Sequence, residues 1–352
     1  MKRYRRVGVA GHYWTQNFGD ILLRDLMVSY LQQECAIPIV EKINRFDYQN
    51  AGGKIGKIWY LLSFSFRCDF VVFAGGGYLE SGSNGYRNIS MLVSMLAQAL
   101  ILRFTFKQFA IAGVGVGPDV TGIGGFLIRC ICEMATQITV RDDASKQLLK
   151  DLGVKNNIKS LSDAALVVAD HFECSGVVKN RMALHLLLRN DEYAVMEDRL
   201  VELINAFPDY IDLHIISDHG PIGQEKHLAE KCERTLTIFE CASPEEFMQF
   251  LSSCELVVTT KLHVGIVSYS LGVGVYNIYR HPKCLRFYDQ IGGLANCVSM
   301  LDFGPQDIER IATLASNPNL SKTYDQQKRE KVMVASREVY KEIQRLLRSP
   351  VL

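Results

Sequence analysis

The chain has 352 residues, 48% of them hydrophobic, with 39 lysines and arginines against 38 aspartates and glutamates. That length and apolar content suffice for two α/β domains. The even charge excludes a dedicated nucleic-acid binder, which carries a basic excess, so any cationic site must be local.

Strand and helix signals alternate from end to end, the pattern of parallel sheets. Residues 6–10 read as a strand, followed by a loop and a helix to about residue 33 capped by Asp20. Strands follow at 38–43 and 69–74, the latter running straight into Gly75, Gly76 and Gly77. A helix at 85–102, strands at 109–114 and 137–140, and a helix at 143–152 stopped by Gly153 complete a first series. A second series holds strands at 182–188, 211–217, 256–258 and 273–278. Its helices fall at 192–206, after the capping box Ser243-Pro-Glu-Glu246, and at 264–271. Residues 170–180 interrupt the alternation, so the domains are expected at 1–172 and 173–352.

The last helix, 325–348, is apolar on one face and basic on the other. It is expected to pack back on the N-terminal domain, with membrane-surface contact as the rival. The ten cysteines, Cys130, Cys132, Cys254 and Cys297 among them, lie mostly in apolar surroundings and read as reduced thiols of a cytosolic protein. No signal peptide is visible, and the apolar runs 58–66 and 91–102 fall short of the ~20 residues that span a bilayer. A cytoplasmic location is expected, with peripheral contact at the inner membrane face as its variant.

Lys261 and His263 fall where the strand 256–258 gives way to a helix. Ligands of open α/β sheets bind at that edge, and a cation and a titratable ring there suit an anionic substrate and proton transfer. Arg189 ends a very apolar strand, so its charge is either paired or turned to a ligand; its place in the same half as Lys261 favours the ligand. Arg280, His281 and Lys283 follow the next strand on the same edge, a solvated loop being the rival for the first two.

In the first half, Asn17, Gly19 and Asp20 form either a ligand-approaching loop or a plain turn and cap. Gly75, Gly76 and Gly77 either present backbone N–H groups to a sugar or anion or satisfy tight packing. Gly113, Gly115 and Gly117 carry the same two readings. Arg141 either anchors an anion or pairs with Asp142, while Asp143 caps the next helix. His214, His219 and His227 lack zinc spacing, so no metal is expected, and His185 reads as a core residue. There is no P-loop, nucleophile elbow or dinucleotide fingerprint, and no nucleotide cofactor is inferred.

Taken in this order, the motifs resemble the polysaccharide pyruvyl transferase family. The matching pieces are Gly11-His-Tyr13 through Asn17-Phe-Gly-Asp20, Gly75 to Gly77, Gly113 to Pro118, Arg141 to Ser145, Lys261-Leu-His263, and Tyr279 to Lys283. The resemblance implies two Rossmann-like α/β domains facing a cleft, GT-B-like. It implies transfer of a pyruvyl group from phosphoenolpyruvate to a sugar of a cell-surface polysaccharide or its lipid-linked precursor, as a ketal and without a cofactor. It makes His263 the general acid and places Lys261 and Arg189 on the donor's phosphate and carboxylate, with Lys283 and Arg280 beside them. Asn17, Gly19, Asp20, Gly75, Gly76, Gly77 and Arg141 fall on the acceptor side. Lys261 stands where the family usually has arginine and lacks its planar fork; Arg280 is placed to compensate. The rivals are a GT-B glycosyltransferase using a nucleotide sugar and a non-enzymatic polysaccharide-assembly protein.

Overall fold

The computed structural model describes residues 4–11, 17–80, 85–117, 120–174, 176–218, 223–322 and 325–349. The chain forms two compact units, Met1–Ala165 together with Val332–Leu352, and Leu166–Lys331. The division thus falls before the expected 172/173, and the chain's end belongs to the first unit.

The first unit holds a six-stranded parallel sheet. Its strands are β1 (Arg6–Ala10), β2 (Ile39–Lys42), β3 (Phe70–Ala74), β4 (Gln108–Val114), β5 (Gln137–Val140) and β6 (Ile158–Ser160), ordered β2-β1-β3-β4-β5-β6. The central strands are continuous apolar runs because helices cover both faces; all five residues of β3 are buried. Phe73, Phe109, Ile111 and Val140 join Leu92, Leu102 and Ile131 of the flanking helices in one core. Each such side chain contributes about 1.5–3 kcal/mol by leaving water.

The second unit repeats the plan. Strands β7 (Arg181–His185), β8 (Asp212–Ser217), β9 (Thr237–Glu240), β10 (Leu256–Thr259), β11 (Gly274–Tyr279) and β12 (Cys297–Ser299) are ordered β12-β11-β10-β7-β8-β9. Leu184, Ile215, Val258 and Ile278 pack with Leu200, Leu203 and Ile311 of its helices.

Both sheets carry one reversal of strand order. In the first, the chain goes from β1 outward to β2 and returns on the other side of β1 to β3; in the second, it goes from β7 to β8 and β9 and returns beside β7 at β10. At such switch points the loops leaving neighbouring strands diverge and open a crevice at the carboxyl edge.

The helix Gln326–Arg348 buries Val332, Val339, Tyr340 and Ile343. Ser336 donates to the Asp163 carbonyl at 2.7 Å, and the Tyr340 hydroxyl to the Ala164 carbonyl at 3.0 Å. Its buried Glu342 holds Lys159 at 2.6 Å and also bonds Gln137 and Arg345. No helix among the described residues is long and apolar enough to cross a membrane.

Two caps differ from expectation. Asn17, not Asp20, caps the first helix (Phe18–Gln33), its Oδ1 accepting from Gly19 N at 3.3 Å; Asp20 is carried into the first turn and buried. Asp142, not Asp143, caps Asp143–Asp151, accepting from Ser145 N at 2.6 Å.

Candidate active site

In the second unit, three carboxyl-edge loops leave the neighbouring strands β11, β10 and β7 and carry all five residues expected on the donor side. The apolar run Leu256–Thr259 makes β10 a fully buried strand. Its end is fixed by hydroxyls. Thr259 Oγ1 accepts the Lys261 N–H at 3.0 Å, and Thr260 Oγ1 accepts the Leu187 N–H at 3.1 Å, tying the β10 and β7 exits together across the switch point. Lys261, half-buried and extended (φ −109°, ψ 138°), is the N-cap residue of the helix Leu262–Ser270. Its carbonyl accepts from Gly265 N at 3.3 Å and from Asn277 Nδ2 at 3.4 Å. His263, half-buried, therefore lies in the first turn of that helix, where backbone N–H groups and the helix dipole favour negative charge.

Strand β11 delivers the other cations. Arg280 is clamped by Glu192, with Nη1 at 3.0 and 3.2 Å from its two carboxylate oxygens, and its Nε donates to His281 Nε2 at 2.9 Å. Lys283, half-buried, opens the helix Pro282–Gln290. His281 reports how closely these charges gather. Burial of part of its ring, then Lys283, Arg280 and Lys261, push its pKa down to about 4, against the opposing pull of Glu192. At neutral pH it is a neutral imidazole, which is what an acceptor from Arg280 must be.

Arg189 is placed differently. It caps the helix Asn190–Asn205 and its side chain is largely exposed, paired with Glu192 at 3.0 Å and Asp191 at 3.3 Å. Glu192 thus holds Arg189 and Arg280 at once and also accepts the Arg189 N–H at 2.9 Å. The spacing Arg189-Asn-Asp-Glu192, a carboxylate three residues after a cap, was the sequence signal for this clamp.

His185 is buried, in line with the core reading, and its ring is not idle. Nε2 lies 3.2 Å from Asp218 Oδ1, and Nδ1 lies 3.3 Å from the Thr259 hydroxyl that receives Lys261. This chain of contacts runs from the end of β8 through β7 to β10. A buried His beside an acid at a neighbouring strand end was its only trace in the sequence.

The residues expected on the acceptor side lie in the first unit at the β1/β3 switch point, with Arg141 at the end of β5. Gly75 and Gly76 have left-handed backbones (φ 55° and 83°). A Cβ on Gly75 would strike Leu23 at 2.7 Å, and one on Gly76 would meet Asp20 Oδ1 at 3.1 Å. Arg141 is buried, with Asp163 at 3.5 Å and Asp142 at 3.7 Å. Gly115 makes room for it, since a Cβ there would come within 2.3 Å of the guanidinium. Residues 12–16 and Pro118, parts of the first and third motifs, lie outside the described residues.

The family model for polysaccharide pyruvyl transferase matches residues 17–282, spanning both switch points. The chain belongs to the polysaccharide pyruvyl transferase family. Membership makes it a transferase acting on polysaccharide. No curated protein matches the chain. Among solved structures it is similar to a UDP-GlcNAc 2-epimerase from Methanocaldococcus jannaschii, with TM-score 0.65 and 14% identity over 98% of this chain and 99% of that one. It is also similar to the Neisseria meningitidis UDP-GlcNAc 2-epimerase bound to UDP-GlcNAc (TM-score 0.60, 11% identity, 97% and 99% covered). A putative UDP-N-acetylglucosamine 2-epimerase from Listeria monocytogenes gives 0.61 and 12% over 97% and 95%. At such identities the likeness concerns the fold, a two-domain Rossmann-like GT-B architecture.

Proposed function

We propose that this pyruvyl transferase takes its pyruvyl group from phosphoenolpyruvate and delivers it to a sugar of a cell-surface polysaccharide or its lipid-linked precursor, forming a ketal. The observation that supports this most is the gathering of Lys261, Arg280 and Lys283 around the His281 ring, at the carboxyl edge of β10 and β11 where Lys261 also opens the helix that carries His263. Phosphoenolpyruvate brings a phosphate and a carboxylate; local cations and a helix N-terminus offset both.

The chemistry follows from that placement. His263, as imidazolium, gives its proton to the methylene carbon of the enol, leaving C2 electron-poor. A sugar hydroxyl adds to C2, and the C2–O bond to phosphate breaks with the cations stabilising the departing group. A second hydroxyl then closes the ketal, and the two hydroxyl protons leave on phosphate and on the imidazole. A positioned acid contributes typically ~10²–10⁴-fold to such a step. The acceptor is assigned to the first unit, beside Asn17, Gly19, Asp20 and Gly75 to Gly77.

The test is incubation of the pure protein with phosphoenolpyruvate and candidate glycans, following inorganic phosphate and product mass. Phosphate release matched by a gain equal to pyruvate less one water supports the reading. The solved neighbours keep one rival in view, a nucleotide-sugar donor. Saturable thermal stabilisation by UDP-GlcNAc, with none by phosphoenolpyruvate, would sink the enolpyruvate assignment.

A further inference from the structure

The helices Gly53–Arg67, Gly85–Phe104 and Gly122–Met134 lie side by side on the first sheet. Each buries one apolar stripe: Leu61 and Phe64 on the first, Leu92 and Leu102 on the second, Leu127 and Ile131 on the third. Buried Ser65 and Gln98 bond at 3.3 Å between the first two.

Each helix also carries a second apolar stripe, turned outward. On Gly53–Arg67 it is Ile55, Ile58, Trp59 and Phe66, spaced at helical intervals, with Trp59 65% exposed. On Gly85–Phe104 it is Val93, Leu100 and Phe104, and on Gly122–Met134 it is Ile123 and Phe126. A surface helix normally turns a polar face to water, and three adjacent helices breaking that rule together make a patch that calls for a partner.

Phe106 marks the corner of this face. It follows the second helix in a Schellman turn: Lys107 N bonds Leu102 O at 2.8 Å and Phe106 N bonds Arg103 O at 3.2 Å. The turn holds Phe106 in the left-handed region at φ 56°, with 95% of its surface exposed. Glycine is the favoured residue there. A phenylalanine that packs on nothing and strains its own backbone contributes nothing to the fold. The Lys107 ammonium sits 5.1 Å from the Phe66 ring and bonds the Phe66 carbonyl, placing a cation among these aromatics.

The charge on this face is mainly positive. Along the three helices and the turn after the second stand Lys54, Lys57, Arg103, Lys107 and Arg129 against one acid, Glu133, while Arg67 is answered by Glu41 at 3.1 Å, in a chain whose net charge is only +1. A self-complementary dimer would set these cations against their own copies, which disfavours a second chain as the occupant. Aromatic side chains with lysine and arginine between them match the headgroup zone of an anionic bilayer.

We propose that this face, with Phe106 at its corner, docks on an anionic phospholipid surface. The terminal helix, expected to be the membrane contact if there was one, buries its apolar side within the first unit and leaves that role to this face. The inference does not rest on the identity of the pyruvyl donor.

The test is flotation of the full-length protein with vesicles of phosphatidylcholine alone or with phosphatidylglycerol. Binding is expected only with the anionic lipid and is expected to fall with added salt. Phe106→Gly is expected to leave the melting temperature unchanged or higher while weakening partitioning about five-fold, and Trp59→Ser with Phe126→Ser about ten-fold or more. In Trp14→Phe, Trp59 is the only tryptophan, and its emission should shift to the blue on binding. Failure to float with anionic vesicles overturns the proposal. So does binding that the variants leave unchanged, or a concentration-dependent dimer by sedimentation that the same variants dissolve.

Discussion

The two switch points are built alike and hold their charges differently. In the first unit Asp20 and Arg141 are both buried, and Arg141 has Asp142 and Asp163 around it while Gly115 clears its space. At the second, Lys261 and Lys283 are only half-buried, Arg280 keeps a third of its side chain open, and Glu192 is shared between Arg280 and Arg189, the latter also paired with Asp191. The same topology thus carries a buried arginine matched by carboxylates in one unit and more open cations in the other. Fold alone does not say which edge does chemistry; the proposal of the second edge rests on its more exposed cations.

The strongest way to break this contrast is His263→Ala. It is expected to lower transfer by at least ~10²-fold with the fold intact by circular dichroism; near-normal turnover would remove the chemistry from the second edge. Arg141→Met is expected to act on stability instead, costing about 3–5 kcal/mol in denaturant unfolding because Asp163 and Asp142 stay buried beside an apolar group. If that variant were stable yet inactive, Arg141 would serve a ligand directly rather than hold the fold, and the contrast would fail. Lys261→Ala should raise KM for phosphoenolpyruvate about ten-fold or more while Lys261→Arg keeps it near the native value; a fall in kcat alone would argue for a role at the transition state.

The smallest expected effect concerns His281. Its pKa in the folded protein is about 4, below the 6.5 of a free histidine. Between those values the unfolded chain takes up a proton that the folded one refuses, so folding stability drops as pH falls from about 6.5 towards 4. His281→Gln is expected to flatten that part of the unfolding profile. An unchanged slope would mean that partial burial and the cations Lys283, Arg280 and Lys261 do not act on the ring as described.

The strand-to-helix edge in the second unit was legible because Leu256–Val258 is an apolar run and the change to helix after Lys261 is abrupt. Its supports were less so. The Glu192 clamp lay in a capping pattern, and the contact of His185 with Asp218 joins residues whose neighbourhood only strand pairing reveals. The caps were misplaced by a few residues because Asn17 and Asp20, or Asp142 and Asp143, are all good cap formers, and only the backbone geometry chooses. Strands β6, β9 and β12 escaped notice because three or four residues, partly exposed at or near a sheet edge, carry too little pattern. The helix Gly53–Arg67 was hidden by its two apolar stripes, which blur the amphipathic period and read only as an apolar stretch.

The first unit is assembled from two stretches that the second unit separates along the chain. Val339 fits against Gly113, and Ser336 and Tyr340 close bonds to the Asp163 and Ala164 carbonyls. Those partners leave the ribosome only after the whole of Leu166–Lys331 has emerged. The nascent first sheet must therefore wait, with the seat of the terminal helix uncovered, while the second unit is already able to complete itself. A chain stopped before residue 332 would leave the first unit without the helix that bonds the Asp163 and Ala164 carbonyls.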